Sequence, residues 1–187
     1  MLTRDGSYEV NTSLGFLEDT IARYKEECFG GDGLNMTPDF QRGHVWTDAQ
    51  RIAYMEFFLK GGMSGRVIYL NHPYWMETRK LSPGAYCEFV VVDGLQRLTT
   101  FLMFIRGELP AFGHYNLPKG GVPVPGRNYF EDPIRMARAN SNLKININNL
   151  KTKAEVLKWY LEMNEGGTPH SDAELEKVRL MIEKEQK

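Results

Sequence analysis

The sequence predicts an α+β fold, in which helices pack on a small mixed sheet and a helical segment follows at the C-terminus. Two short runs rich in β-branched and apolar residues, Val67–Leu70 and Cys87–Val92, have the composition of strands buried inside a sheet covered by helices. Other segments repeat apolar residues at the period of amphipathic helices, and several of these segments follow a capping-box pair. Together these observations predict both kinds of element.

The first half of the chain is expected to hold two helices before the first central strand. Apolar residues at helical spacing predict a helix from Leu14 to about Cys28, where a glycine-rich stretch cannot continue it cheaply. Thr47 and Gln50 have the spacing of a capping box. They predict a second helix, which ends at Gly61.

The second half begins with an irregular region and ends in helices. Residues 107–150 are rich in Gly and Pro, and we expect loops and short strands there, one of them formed by the alternation of Leu143, Ile145 and Ile147. Residues 151–187 return to helical spacing. Two capping-box pairs mark the starts of these helices: Thr152 with Glu155, and Ser171 with Glu174.

Composition excludes several classes of protein. The 187 residues carry a formal net charge of -1, so a DNA contact would need a local basic patch. Cys28 and Cys87 do not make a disulfide framework or a zinc-binding pattern. No stretch approaches the ~20 apolar residues of a membrane span, and the N-terminus lacks a signal-peptide core. We expect a cytoplasmic protein with no membrane partner.

The junction after the second strand run is the strongest candidate site. The apolar run ends in Asp93 and Gly94, and helical spacing starts directly afterwards. The first amides of a helix are unpaired donors with partial positive charge, so this junction can bind phosphate. Gln96 and Arg97 add an amide and a fork of donors at the first turn.

A structural interpretation of the same residues is also open. Asp93 and Gln96 have the spacing of a capping box, which would explain both without a ligand. Capping does not explain Arg97, because the helix dipole disfavours a cation near its positive end unless an anion or carboxylate lies close by.

Three segments together resemble one family: Pro38-x-Phe40-Gln41-Arg42-x-x-Val45-Trp46, Asp93-Gly94-Leu95-Gln96-Arg97-Leu98-Thr99-Thr100, and Tyr160-x-x-x-Asn164 followed by Gly166-Gly167. Over roughly Met36 to Glu174 the chain resembles the N-terminal domain of GmrSD-type modification-dependent restriction enzymes, which belong to the ParB/sulfiredoxin-like superfamily. That family usually reads DGQQR in the second motif and FxxxN in the third. Leu95 and Tyr160 are therefore departures from its pattern.

The resemblance implies a ParB-like module that binds a nucleoside triphosphate. Asp93, Gln96 and Arg97 fall on the nucleotide-binding and catalytic motif, and Gln41 and Arg42 fall on the motif that faces it. The length of the chain fits a single domain over 1–187. Its parts are an N-terminal helical extension (1–35), a ParB-like core (36–106), an irregular Gly/Pro-rich connection (107–150) and C-terminal helices that complete the site (151–187).

Further residues are expected to contact the nucleotide. Asn164 matches the Asn of the third motif. On physical grounds, Gly94 supplies the turn at the phosphate, and Thr99 and Thr100 supply hydroxyls for it. Mg²⁺ is the expected cofactor, with Asp93 as its ligand.

The implied mechanism follows from the physics of phosphoryl transfer. Arg42 and Arg97 would neutralise phosphate oxygens, and Gln96 would position the attacking water. The expected function is binding of GTP, CTP or ATP, with its hydrolysis if the module is catalytic, in DNA-related defence, counter-defence or phage biology. Two alternatives stay open, a metal-dependent DNA endonuclease and a non-catalytic protein that keeps the fold. Expected partners are a nucleoside triphosphate, DNA, and a separate nuclease or other protein.

Overall fold

The computed structural model describes residues 8–27, 33–75, 85–111, 142–164 and 172–186. Within them five strands and five helices form a mixed α+β fold, which confirms the predicted class. The elements are β1 (Tyr8–Ser13), α1 (Leu17–Glu27), β2 (Leu34–Asn35), α2 (Asp48–Leu59), β3 (Val67–Asn71), β4 (Phe89–Asp93), α3 (Leu95–Arg106), β5 (Asn142–Asn148), α4 (Lys153–Asn164) and α5 (Asp172–Glu185). The finer ParB/sulfiredoxin-like assignment stays a prediction.

The five strands form one sheet in the order β1-β5-β3-β4-β2. The β1–β5 and β3–β4 pairs are antiparallel, and the β5–β3 and β4–β2 pairs are parallel. The two strands predicted to be central, β3 and β4, are both interior. Because they run antiparallel, the carboxyl end of β4 lies beside the start of β3, with Asp93 opposite Tyr69.

Hydrophobic clusters cover both faces of β4. Phe89 and Val91 belong to a cluster that includes residues of α1, α2 and α3, whereas Val90 and Val92 pack with α4 and α5. A strand buried on both faces needs a continuous apolar run rather than an alternating one. This explains why the run at β4 is so uniformly apolar.

Within the predicted N-terminal helical extension, the described residues 8–27 and 33–35 contain strands as well as a helix. Tyr8–Ser13 forms the edge strand β1, paired with β5 from Tyr8 opposite Ile147 to Ser13 opposite Asn142, and Leu34–Asn35 pairs with β4. The predicted helix is present as α1. The sequence of β1, YEVNTS, carries little apolar periodicity. An edge strand of this kind is stabilised mainly by its backbone pairing with the neighbouring strand, so it does not require a regular apolar face.

Most local signals correspond to observed elements. The capping box of Thr47 and Gln50 begins α2. At α4, the Thr152 amide donates to the Glu155 carboxylate and the Glu155 amide donates to Thr152 Oγ1. The predicted capping residue Ser171 and residues 112–141 of the predicted irregular region lie outside the described residues. None of the helices in the described ranges is both long and apolar enough to cross a membrane.

Candidate functional site

The β4–α3 junction is built on a glycine in a left-handed conformation. Gly94 has φ +96° and is the N-cap of α3. A Cβ on Gly94 would lie 2.8 Å from Ile68 Cδ1, so the packing against β3 also favours glycine. Gly94 offers no side-chain cap to the first amides of α3. The capping-box interpretation of Asp93 and Gln96 is therefore wrong, and both side chains bond elsewhere.

Asp93 forms an ion pair with Arg97 one turn along α3, in which Arg97 Nη2 donates to Asp93 Oδ2. The Arg97 side chain is 17% exposed and that of Asp93 is 32% exposed. This pair explains how a cation is held at the positive end of a helix, because the carboxylate lies beside it. Arg97 therefore presents its fork of donors from a partly buried position.

Two residues that the sequence did not single out border Arg97. Gly65 has φ +72°, and a Cβ there would lie 3.3 Å from Arg97 Cδ and 3.5 Å from the Tyr54 ring. Tyr54 Oη donates to the Gly65 carbonyl at 2.8 Å. Burial raises the pKa of Tyr54 to about 12, although Arg97 and Arg66 act to lower it. A glycine before a strand signals a turn, but its proximity to Arg97 depends on the pairing of β3 with β4.

The side-chain amide of Gln96 holds the segment that carries the first motif. Gln96 Nε2 donates to the Gly43 carbonyl at 3.0 Å, and Gln96 Oε1 accepts from the amides of Val45 and Trp46, both at 3.2 Å. The amide oxygen is thus already engaged in this conformation. The predicted positioning of a water by Gln96 would require this segment to move.

Gln41 extends the hydrogen bonding along the edge of β4. Strand β2 ends opposite Val90, and Gln41 Nε2 donates to the next two carbonyls, those of Val91 at 2.9 Å and Val92 at 3.0 Å. The Gln41 amide therefore continues the pairing where β2 stops. In this position it fixes the first motif to the strand that ends in Asp93.

The third motif meets the first two through Tyr160. The Tyr160 ring is 3% exposed and lies edge-on to Phe40, with ring centroids 5.2 Å apart. Burial raises the pKa of Tyr160 to about 12, Arg42 lowers it, and Glu174 and Asp93 raise it further. The contact between Tyr160 and Phe40 therefore joins the third motif to the first, which Gln41 and Gln96 fix to the second.

Asn164 lies at the end of α4, where its Nδ2 donates to the Tyr160 carbonyl at 2.7 Å.

The prediction that Thr100 supplies a hydroxyl to the phosphate requires a correction. Its side chain is fully buried and its Oγ1 donates to the Gln96 carbonyl at 2.7 Å, so it is not available to a phosphate. The physical reason is that α3 is buried on more than one face. Thr99 Oγ1 is buried with no hydrogen-bond partner.

The predicted magnesium ligand is the single carboxylate of Asp93, which is paired with Arg97, so most ligands of the ion would have to come from phosphate and water. Among the described residues no three His, Cys, Asp or Glu side chains are grouped to hold a metal. Protein-bound Mg²⁺ often has one or two carboxylates, with phosphate oxygens and waters completing its shell. Asp93, partly exposed at the start of α3, suits the role of that carboxylate.

Comparisons with known proteins agree with the three motifs. The family model described as GmrSD restriction endonuclease, N-terminal domain, matches residues 18–181, a range that contains all three. No curated protein and no solved structure gives a significant match. Because the family model spans most of the chain, this protein belongs to the GmrSD restriction endonuclease N-terminal domain family.

Proposed function

We propose that the chain is a ParB-like, nucleoside-triphosphate-binding module of restriction-type defence, which hydrolyses the nucleotide if it is catalytic. The observation that carries this proposal is the convergence of the three motifs beside the end of β4. Gln41 of the first motif donates to the Val91 and Val92 carbonyls, Tyr160 of the third motif packs on Phe40, and Asp93 is paired with Arg97. The family description supports the connection to restriction.

The start of α3 supports a phosphate ligand in particular. Gly94 leaves the first amides without a side-chain cap, and such amides favour anions through both hydrogen bonding and the helix dipole. Arg97 adds a guanidinium fork, whose geometry matches two phosphate oxygens. These donors suit a polyphosphate better than a neutral ligand.

Each residue has a distinct part in the proposed mechanism. Arg97 and Arg42 bind and neutralise phosphate oxygens as negative charge develops on them. Asp93 would hold Mg²⁺, which when bound supplies charge stabilisation to the phosphates. Gln96 and Gln41 keep the first motif in place through the backbone hydrogen bonds described above. Hydrolysis would then depend on how a water reaches the phosphate when Gln96 Oε1 is engaged by the loop.

A thermal-shift panel tests this proposal. GTP, CTP, ATP and UTP are added separately with Mg²⁺, and at least one is expected to raise the melting temperature, since saturation at 100 times Kd adds about 2.7 kcal/mol to folding stability. Arg97→Ala should weaken binding by about 1.5–3 kcal/mol, the value of a charge-assisted hydrogen bond.

Arg106→Ala is the matched control, because Arg106 lies on the same helix and pairs with Glu18 at 2.9 Å. It should keep the full nucleotide-induced shift. A shift that survives unchanged in Arg97→Ala would contradict the proposal.

Two other outcomes would assign the chain differently. Nicking of plasmid DNA with Mg²⁺ or Mn²⁺, abolished by Asp93→Ala in a folded protein, would favour the endonuclease alternative. Absence of both nucleotide binding and nicking in the folded protein would favour a non-catalytic partner-binding role.

A further inference from the structure

A row of four aromatic rings runs from the hydrophobic core to the neighbourhood of Arg97. The rings of Phe58, Phe101, Tyr54 and Trp46 follow one another at centroid distances of 4.6, 5.6 and 5.2 Å. Phe58 and Phe101 are buried, whereas Trp46, at the other end of the row, is partly exposed. We propose that the base of a bound nucleoside triphosphate stacks on the Trp46 ring. This inference rests on the proposed function and adds a base-binding subsite to it.

The first step is the position of Trp46 relative to the proposed phosphate donors. Its backbone amide donates to Gln96 Oε1 at 3.2 Å, so Trp46 lies beside the first turn of α3. Its ring contacts that of Tyr54, and a Cβ on Gly65 would lie 3.5 Å from the Tyr54 ring and 3.3 Å from Arg97 Cδ. One ring therefore separates Trp46 from Arg97. A base is joined to its phosphates through a ribose, so a nucleotide needs two binding groups that are neighbouring but separate, as these two are.

The second step weighs a structural alternative, the hydrophobic staple. Trp46 precedes Thr47, the N-cap of α2, and an apolar residue in this position often packs on the fourth residue of the helix. The fourth residue of α2 is Arg51, which forms an ion pair with Asp48, so this position offers no apolar partner for a staple. Trp46 packs on Tyr54 instead. Helix capping therefore leaves the exposed part of the Trp46 ring unexplained.

The third step is the chemistry of the ring. Every base has a π-face, so stacking on an aromatic side chain is tolerant of base identity. Indole is large and rigid, and it loses little conformational entropy when it binds. The neighbouring Tyr54 is itself fixed, since its Oη donates to the Gly65 carbonyl at 2.8 Å. Trp46 should therefore add affinity for whichever triphosphate binds, and none for phosphate without a base.

The test is calorimetric titration of the full chain with GTP, CTP, ATP, UTP and inorganic tripolyphosphate, all in Mg²⁺. Trp46→Ala should lower the affinity for the triphosphate that binds by about 5- to 150-fold, the usual range of base–aromatic stacking. Its affinity for tripolyphosphate should be unchanged. Trp46→Phe retains a π-face and should retain most of the nucleotide affinity. Trp46→Leu should behave as Trp46→Ala does, and it replaces that variant if the Ala protein does not fold.

Indole fluorescence gives a second measurement. Bound nucleotide should quench the emission of the unmodified chain, and this quenching should be absent in Trp46→Phe although the nucleotide still binds. Phe57→Ala is the matched control, because Phe57 lies on α2 and is also a partly exposed ring, at 43%. This control should keep both the affinity and the quenching.

Three results would overturn the inference and leave the proposed function standing. They are undiminished triphosphate affinity in both Trp46→Ala and Trp46→Leu, equal losses of triphosphate and tripolyphosphate affinity, and a loss in Trp46→Phe as large as that in Trp46→Leu. The comparison of the Phe and Leu variants decides the matter even if tripolyphosphate binds too weakly to measure. Failure of every triphosphate to bind overturns both proposals, and quenching by single-stranded DNA in that case would assign the ring to nucleic acid.

Discussion

The two ends of the β3–β4 pair are built from different chemistry. At one end, called here the aromatic end, four rings surround Trp75 at centroid distances of 5.2–6.1 Å: those of Tyr8, Tyr24, His72 and Phe89. Packed aromatic rings add stability through buried area and favourable ring geometry. This end therefore serves mainly to hold the sheet and α1 together.

The opposite end, called here the charged end, consists of Gly65, Asp93, Gly94, Gln96 and Arg97. Its contacts are an ion pair, side chain–backbone hydrogen bonds and two glycines with positive φ. Partly buried charge is costly, and it concentrates where a ligand is handled. The comparison suggests that substitutions at the aromatic end should change stability alone, whereas substitutions at the charged end should also change nucleotide binding.

Phe89→Ala should give the largest effect. Phe89 is 3% exposed and contacts Tyr24, His72 and Trp75, so its removal should lower the free energy of unfolding by about 3–5 kcal/mol. Urea unfolding measures this change. Phe16→Ala is the control, because Phe16 is 66% exposed and should cost less than about 1 kcal/mol. Any folded Phe89→Ala protein that loses nucleotide affinity would break the comparison.

Gly94→Ala should be the next largest and should affect both properties. A residue other than glycine at φ +96° is strained, and its Cβ would press on Ile68, which together should cost about 2 kcal/mol. Nucleotide affinity should fall as well, because the first turn of α3 shifts. Gly43→Ala is the control, since a Cβ there meets nothing within 4 Å. Equal stability of the two variants in urea would show that the junction tolerates a side chain at position 94.

Gln96→Leu should have a smaller effect on stability, about 1 kcal/mol, because its three hydrogen bonds are partly solvent-exposed. Hydrogen exchange of the Val45 and Trp46 amides should become faster. Gln96→Glu keeps the accepting oxygen and should preserve the protection of these two amides better than Leu does. Unchanged exchange in Gln96→Leu would mean that other contacts hold the segment.

The pH dependence of His72 is the mildest test of the aromatic end. His72 is 2% exposed, and burial lowers its pKa, with Lys151 contributing in the same direction. The unfolded chain therefore binds the proton more tightly. Stability from this residue should be complete above about pH 6.5 and should be lost as the pH falls below that value toward the folded-state pKa.

Urea midpoints across this pH range measure the loss of stability. The matched variant for this test is His72→Asn. In the unmodified chain the Tyr74 amide donates to His72 Nδ1 at 3.2 Å, and the Asn side chain can still accept this hydrogen bond. This variant should flatten the profile below pH 6.5. An identical profile in the variant would assign the pH dependence to other groups.

Several parts of the fold were predictable because their signals are local. The apolar runs predicted β3 and β4 within one or two residues, and the capping boxes at Thr47 and Thr152 predicted where α2 and α4 begin. The identity of the three motifs was also readable from the sequence. Such features depend on residue type and spacing over a few positions.

Contacts between distant segments decided the rest. Gln96 could cap its own helix or bond elsewhere, and the structure joins it to Gly43, 53 residues away. The polar strand β1 acquires its conformation from β5, and Gly65 reaches Arg97 because β3 and β4 pair. The sequence by itself determined the helices, the two apolar central strands and the chemical groups that are present. Only the tertiary structure decided which groups meet, because a side chain with several possible partners bonds to the one that the packed sheet and helices bring within reach.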